Sequence, residues 1–157
     1  MFWKLPNKEF REMAHEGNKA GQQAIVKSGV VPGLLAYSGN EAVGWIEVEP
    51  REKYLRLAHS RVLKPIDELP VWSVTCFFIR RDFRNKGLTI ALLKAAIEHV
   101  KKRGGKIVEG YPIEPKDDKI PAVFAYMGLA SAYRKAGFKE VRRNSETRPI
   151  FRKRMVD

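Results

Sequence analysis

The run from Val71 to Ile79 is nearly continuous in apolar and β-branched residues, the pattern of a strand covered on both faces and set inside a sheet. It leads through the basic loop Arg80-Arg81-Asp82-Phe83-Arg84-Asn85-Lys86-Gly87 into a segment where Leu88, Ala91, Leu92, Ala95, Ala96 and Val100 fall at helical spacing. Gly104-Gly105 stop that helix, and Lys106 to Tyr111 reads as the next strand. A strand-helix-strand unit of this length has a right-handed crossover and parallel strands, which commits the chain to an α/β sheet. A basic, glycine-containing strand-to-helix loop gathers backbone N–H groups and the positive end of a helix dipole around one point, a geometry that suits a pyrophosphate.

The flanking segments extend the sheet on both sides. Leu34 to Tyr37 and Ala42 to Val48, joined through Gly39-Asn40, predict a β-hairpin closed by Pro50. Phe138 to Arg143 and Pro149 to Met155, turning at Asn144-Ser145-Glu146, predict a second hairpin, preceded by a short helix over Phe124 to Ala136. Residues 7–28 carry apolar residues at helical spacing and predict one helix or two short ones, with Phe10, Met13, Ala14, Ala20, Ala24 and Ile25 as a buried stripe and Asn7 as N-cap. Residues 51–70 read as a loop with a helical turn. No repeat or linker divides the 157 residues, which are expected to form one domain over 1–157.

The formal net charge of +12 favours an anionic partner, but the basic residues are dispersed and form no block of the kind found in nucleic-acid tails. This argues against nucleic acid as the partner. Cys76 is the sole cysteine and lies in an apolar run, which excludes a disulfide framework and points to the cytoplasm. No apolar stretch is long enough to span a bilayer, and the start Met1-Phe2-Trp3-Lys4-Leu5-Pro6 lacks the apolar core of a signal peptide, so no membrane association is expected. His15, His59 and His99 have no metal-ligand spacing, and no metal is expected.

Two spaced motifs carry a family resemblance. Arg84-Asn85-Lys86-Gly87-Leu88-Thr89 resembles the acyl-CoA loop of the GCN5-related N-acetyltransferases (GNAT), which runs Arg or Gln, two residues, Gly, one residue, Gly or Ala. Tyr133-Arg134-Lys135-Ala136-Gly137-Phe138 resembles the family's second signature, a Tyr followed four residues later by Gly-Phe. The likeness covers roughly residues 34 to 154, and the pairing is far more specific than either half. Patterns such as Glu109-Gly110-Tyr111-Pro112 look like an uncharacterised bacterial branch. Thr89 stands where Gly or Ala is usual, Arg81 where Pro is frequent, and Met127 where Asn is frequent.

The resemblance implies a GNAT-like fold: an α/β (α+β) mixed, mostly antiparallel sheet flanked by helices, with a splayed parallel strand pair forming the acyl-CoA cleft. It implies acetyl-CoA as co-substrate and transfer of the acetyl group to a primary amine by direct attack in a ternary complex, with a small-molecule or protein amine as acceptor. The loop residues Arg84, Asn85, Lys86, Gly87, Leu88 and Thr89 would hold the diphosphate. Unpaired backbone groups of Phe77, Phe78 and Ile79 would bind the pantetheine arm and polarise the acetyl carbonyl. Tyr133 would be the general acid at sulfur, and Glu109, or else Glu47, the proton acceptor. A ping-pong route through Cys76 is a variant without a supporting His motif. A homodimer through the N-terminal helix or closing hairpin is compatible with the sequence. Two other readings stay open: a basic nucleic-acid-binding module, and a non-catalytic acyl-CoA sensor on the same fold.

Overall fold

A computed structural model describes residues 1–117, 120 and 125–155. The predicted first hairpin is β1 (Gly33–Ser38) and β2 (Glu41–Pro50), and the central strand is β3 (Trp72–Ile79). The basic loop leads into helix α4 (Leu88–Lys102), then β4 (Ile107–Gly110), helix α5 (Ala130–Lys135) and the closing hairpin β5 (Lys139–Arg143) and β6 (Pro149–Arg154). The six strands lie in the order β1-β2-β3-β4-β6-β5. The β3–β4 pair is parallel and the other paired strands are antiparallel, so the mixed sheet expected from the sequence is the one formed.

One irregularity in β3 shapes the rest. Glu47 pairs with Cys76 and Val48 with Val74, so Thr75 is an extra residue with no partner across the ladder on β2. Such a bulge bends its strand and breaks the period-two alternation of side chains. Val74 and Phe77, three apart, therefore both enter the core beneath α4. The parallel pairing with β4 runs from Trp72–Val108 to Val74–Gly110 and ends there, immediately before the bulge. Beyond that rung β3 and β4 part.

The sheet has two unlike faces. Helices α4 and α5 cover Ile46, Val48, Val74, Val108 and Phe151 on one face, burying Leu92, Leu93, Ala96 and Val100 of α4. Each such large aliphatic side chain contributes roughly 1.5–3 kcal/mol of burial. The other face is covered by chain of little regular structure: a single 3₁₀ turn at Arg51–Lys53, the short helix α3 (Leu55–Ala58) and the segment after it. There Tyr54, Leu57, Leu63, Tyr111, Met127 and Ile150 form a smaller apolar cluster with Trp3 and Tyr126 at its margin.

Three expectations need correction. The N-terminal region forms two helices, α1 (Asn7–Glu12) and α2 (Ala14–Lys27), broken where Ala14 takes φ +51°, and neither buries a residue. The predicted apolar stripe exists in sequence, but no sheet face is left for it to cover. Asn7 does not cap; its side-chain oxygen accepts a hydrogen bond from Arg56 Nη1 at 2.6 Å. Of the helix predicted over Phe124 to Ala136, residue 124 lies outside the described residues and the helix observed is α5: Gly128 takes φ +88°, and the extended Leu129 bridges to Ile113.

Candidate active site

The loop Arg84–Thr89 is built around two left-handed residues, Asn85 at φ +58° and Gly87 at φ +79°. Glycine adopts that conformation without steric cost, and asparagine tolerates it better than most residues. Gly87 is the N-cap of α4, and the first hydrogen bond inside the helix runs from the Ala91 N–H to the Gly87 carbonyl. The amides of Leu88, Thr89 and Ile90 therefore have no acceptor within the helix. No acidic residue occupies the first turn and no side chain caps it. A positive dipole end flanked by Arg84 and Lys86 lacks the negative charge such an end favours.

The loop opens on a cavity of about 420 Å³ in the splay, lined by Phe77, Phe78, Ile79, Arg84, Asn85 and Thr89 among the predicted residues. Ala125, Tyr126, Gly128, Leu129 and Ala132 complete it. These had no sequence signal beyond preceding Tyr133. Leu88 packs inward, close enough to β2 that a Cβ at Gly44 would touch it, so its contribution to the site is its amide. Lys86 sits with Nζ 5.5 Å from the centre of the Phe83 ring. A second cavity of about 500 Å³ lies at the opposite end of β3, against Trp72, Gly105 and Met155, and no predicted site residue lines it.

The strand edge is less bare than expected. The Phe77 N–H donates to the Tyr126 carbonyl at 2.6 Å, and Arg84 Nε donates to the Ile79 carbonyl at 3.0 Å. Phe78 is the exposed member of the three, at 60%.

Tyr133 is wholly buried between Phe77, Phe138 and Phe151, its hydroxyl donating to the Met127 carbonyl at 3.2 Å. A Cβ on Gly110 would fall 2.6 Å from that hydroxyl. Gly110 forms the last β3–β4 rung, so the phenol sits at the apex of the splay. Burial pushes its pKa far above the ordinary phenol value.

Glu109 is placed elsewhere, on the opposite face from α4, and its oxygens are already engaged. Oε1 accepts from Arg51 Nη1 at 2.9 Å and from the Tyr111 hydroxyl at 2.7 Å, and Oε2 accepts from Arg152 Nε at 2.6 Å. Arg51 also donates to the Leu57 and Leu63 carbonyls, and Arg152 to Asp67. The expected base is thus the buried post to which the 51–67 segment is tied.

Glu47 has a different setting. With Glu49 it is buried on the same face, and both carboxylates meet the Lys4 ammonium, Glu47 at 3.2 Å and Glu49 in a short hydrogen bond. Its strand partner is Cys76. Burial first, and the Glu47 charge second, push the Cys76 thiol up to about 11, so it is not a ready thiolate nucleophile.

Comparison with known proteins bears on this geometry. The fold matches a ribosomal-protein-alanine N-acetyltransferase from Brucella melitensis at a TM-score of 0.56 and 15% identity, covering 89% of this chain and 78% of that one. PaiA N-acetyltransferase from Thermoplasma acidophilum, solved in complex with coenzyme A, matches at 0.57 and 18% identity, covering 92% and 74%. YncA from Salmonella typhimurium, solved with its cofactor acetyl-CoA, matches at 0.56 and 11% identity, covering 88% and 72%. No curated protein matches by sequence. The family model of the acetyltransferase (GNAT) family matches residues 2–138, which include the whole basic loop and the Tyr133–Phe138 signature, and the chain belongs to that family.

Proposed function

We propose that this acetyltransferase transfers the acetyl group of acetyl-CoA to a primary amine by direct attack in a ternary complex, in the cytoplasm. The observation that carries this reading is the Arg84–Thr89 loop, an uncapped helix start with two left-handed residues, two cations and no acid, facing an open cavity. A Cβ built on Gly87 meets no protein atom within 4 Å, so the backbone there borders open space of the kind a diphosphate needs. The amides of Leu88, Thr89 and Ile90 would hold that diphosphate, with Arg84 and Lys86 adding charge. When bound, acetyl-CoA supplies a thioester, an acyl group activated toward amines.

The chain's own residues do the rest. Phe77, Phe78 and Ile79 present the splayed edge along which the pantetheine arm would run, with the Tyr126 carbonyl as the group to be displaced from the Phe77 amide. Tyr133 holds a proton at the apex of the splay, where burial keeps its hydroxyl protonated. Glu109 is a positioning residue in this reading. The raised Cys76 thiol favours the ternary complex over a ping-pong route.

Calorimetric titration of CoA into the wild type and Gly87→Val tests the cradle. Valine at φ +79° costs roughly 1–2 kcal/mol of backbone strain, which a thermal melt reads as a shift of a few degrees. Wild type is expected to saturate and Gly87→Val to bind at least about ten-fold more weakly, about 1.4 kcal/mol. Equal CoA affinities would refute the cradle.

A further inference from the structure

The N-terminal residues 1–6 cross the face of the sheet opposite α4 and carry a charge in with them. The Lys4 side chain is only 10% exposed, whereas Phe2 of the same segment is 41% exposed. Lys4 Nζ lies between the carboxylates of Glu47 and Glu49 and 5.7 Å from the centre of the Tyr54 ring. The Tyr54 and Thr75 hydroxyls, both fully buried, lie beside each other and near Glu47 without a well-formed hydrogen bond among the described residues. Two carboxylates, an aromatic ring and two hydroxyls with spare capacity make a built site for one alkylammonium ion.

Such a cluster is a poor way to stabilise a fold. Burying three charges costs several kcal/mol per ion before their attraction returns it, and one ammonium between two carboxylates leaves a surplus negative charge. In a chain of net charge +12 this surplus sits on β2, opposite Ser73 and Cys76 of β3. Glu47 is the strand partner of Cys76, the residue before Phe77. Trp3 packs against the same apolar cluster as Tyr126, which lines the cleft.

The segment is held at three residues. Trp3 packs against the cluster of Tyr54, Leu57 and Met127, Lys4 meets the two carboxylates, and Arg56 donates from its backbone N–H to the Trp3 carbonyl at 3.1 Å and from Nε to the Leu5 carbonyl at 2.7 Å, and stacks 3.8 Å from the centre of the Phe2 ring. The helices that follow it, α1 and α2, bury nothing. Opening the segment therefore requires Trp3, Lys4 and Arg56 to let go, with no buried residue of α1 or α2 to hold it further.

We propose that Glu47, Glu49 and Tyr54 form the ammonium subsite for the acceptor, that Lys4 is its internal occupant, and that the acceptor is a primary alkylammonium which displaces residues 1–6. This rests on the acetyltransferase reading above and adds the residues that would hold the amine. An internal occupant raises the apparent dissociation constant of any competitor by the fraction of molecules that are closed.

The test is calorimetric binding of 1,5-diaminopentane, a minimal lysine-side-chain mimic, to the full chain without cofactor. Lys4→Met is expected to bind the diamine at least about ten-fold more tightly than wild type, and the diamine to raise the melting temperature of that variant. Adding Glu49→Gln to Lys4→Met should abolish both effects. Equal affinities of wild type and Lys4→Met would overturn the proposal. So would failure of both Lys4→Met and Lys4→Gln to melt cooperatively, since the segment would then be structural and not displaceable. A parallel CoA titration separates the two readings: absence of CoA binding by wild type sinks the acetyltransferase mechanism and with it the acceptor role of the subsite, while normal CoA binding with no diamine effect sinks the subsite alone.

Discussion

At the scale of single residues, the carboxylates of this protein divide by what they already hold. Glu109 has the residue type and strand position of a general base, but its two oxygens receive two guanidinium groups and a phenol. Its partners Arg51 and Arg152 lie 58 and 43 residues away in the chain, and no local pattern announces such pairs. Removing one member of a buried pair typically costs about 3–5 kcal/mol because the others stay buried without compensation. Glu109→Ala is therefore expected to lower the unfolding free energy by about that amount, read by urea denaturation. CoA affinity at low temperature, where the variant is folded, should stay near the wild-type value. A variant of wild-type stability with no turnover would restore Glu109 to the chemistry. The position of Tyr133 can be read from its local spacing to Gly137-Phe138, whereas the Gly110 that admits its hydroxyl belongs to β4, far away in sequence.

At the scale of elements, legibility follows how locally each piece is determined. The β3–loop–α4 unit could be read because continuous apolar character, glycine placement and helical spacing are properties of neighbouring residues. The bulge at Thr75 could not, since it exists only relative to the β2 register, yet it sits where the β3–β4 pairing ends. The 51–70 segment has its place set by Arg51 donating to the Leu57 and Leu63 carbonyls and to Glu109. Residues 7–28 misled for the opposite reason: their periodicity is real, but the faces of the sheet are already covered. On α4 the same packing sets a pH response. His99 lies edge-on to Trp72 at 6.2 Å, with Arg103 Nη1 3.1 Å from its Nδ1. Burial, then the Arg103 charge, hold its pKa below the ordinary imidazole value. The unfolded chain thus takes up that proton first, so the stabilisation is present above about pH 6.5 and is lost as pH falls through the lower folded value. Melting temperature should decline between about pH 7 and 5, and His99→Gln should flatten this decline. The Asp67, Glu114 and Glu140 carboxylates, held low by their arginine partners, act only in more acid solution. An identical slope in His99→Gln over the upper window would contradict the assignment.

At the scale of the whole molecule, buried ion pairing and surface charge are separate systems. Glu47 and Glu49 share the single cation Lys4 while Glu109 holds Arg51 and Arg152, the latter shared with Asp67, so the buried ion pairs carry no positive excess and the +12 belongs to the remaining surface. A positive surface raises the local concentration of a polyanion, and the α4 start gives that field one place to converge. This is why a basic chain with no basic block is better suited to a small polyanionic co-substrate than to a nucleic acid, whose contacts would need a continuous stripe of charge. The two cases differ in their salt response. CoA affinity is expected to fall by about ten-fold between roughly 20 mM and 500 mM salt, as the Debye length shrinks from about 20 Å to a few ångströms. Lys86→Glu should weaken binding at low salt and reduce that dependence, because it reverses one of the two charges at the helix start. Binding of generic duplex DNA should be weak at physiological salt and unaffected by CoA. If DNA bound tightly with a steep salt slope and CoA displaced it, the loop would be a general phosphate site and the surface, not the cleft, would choose the partner.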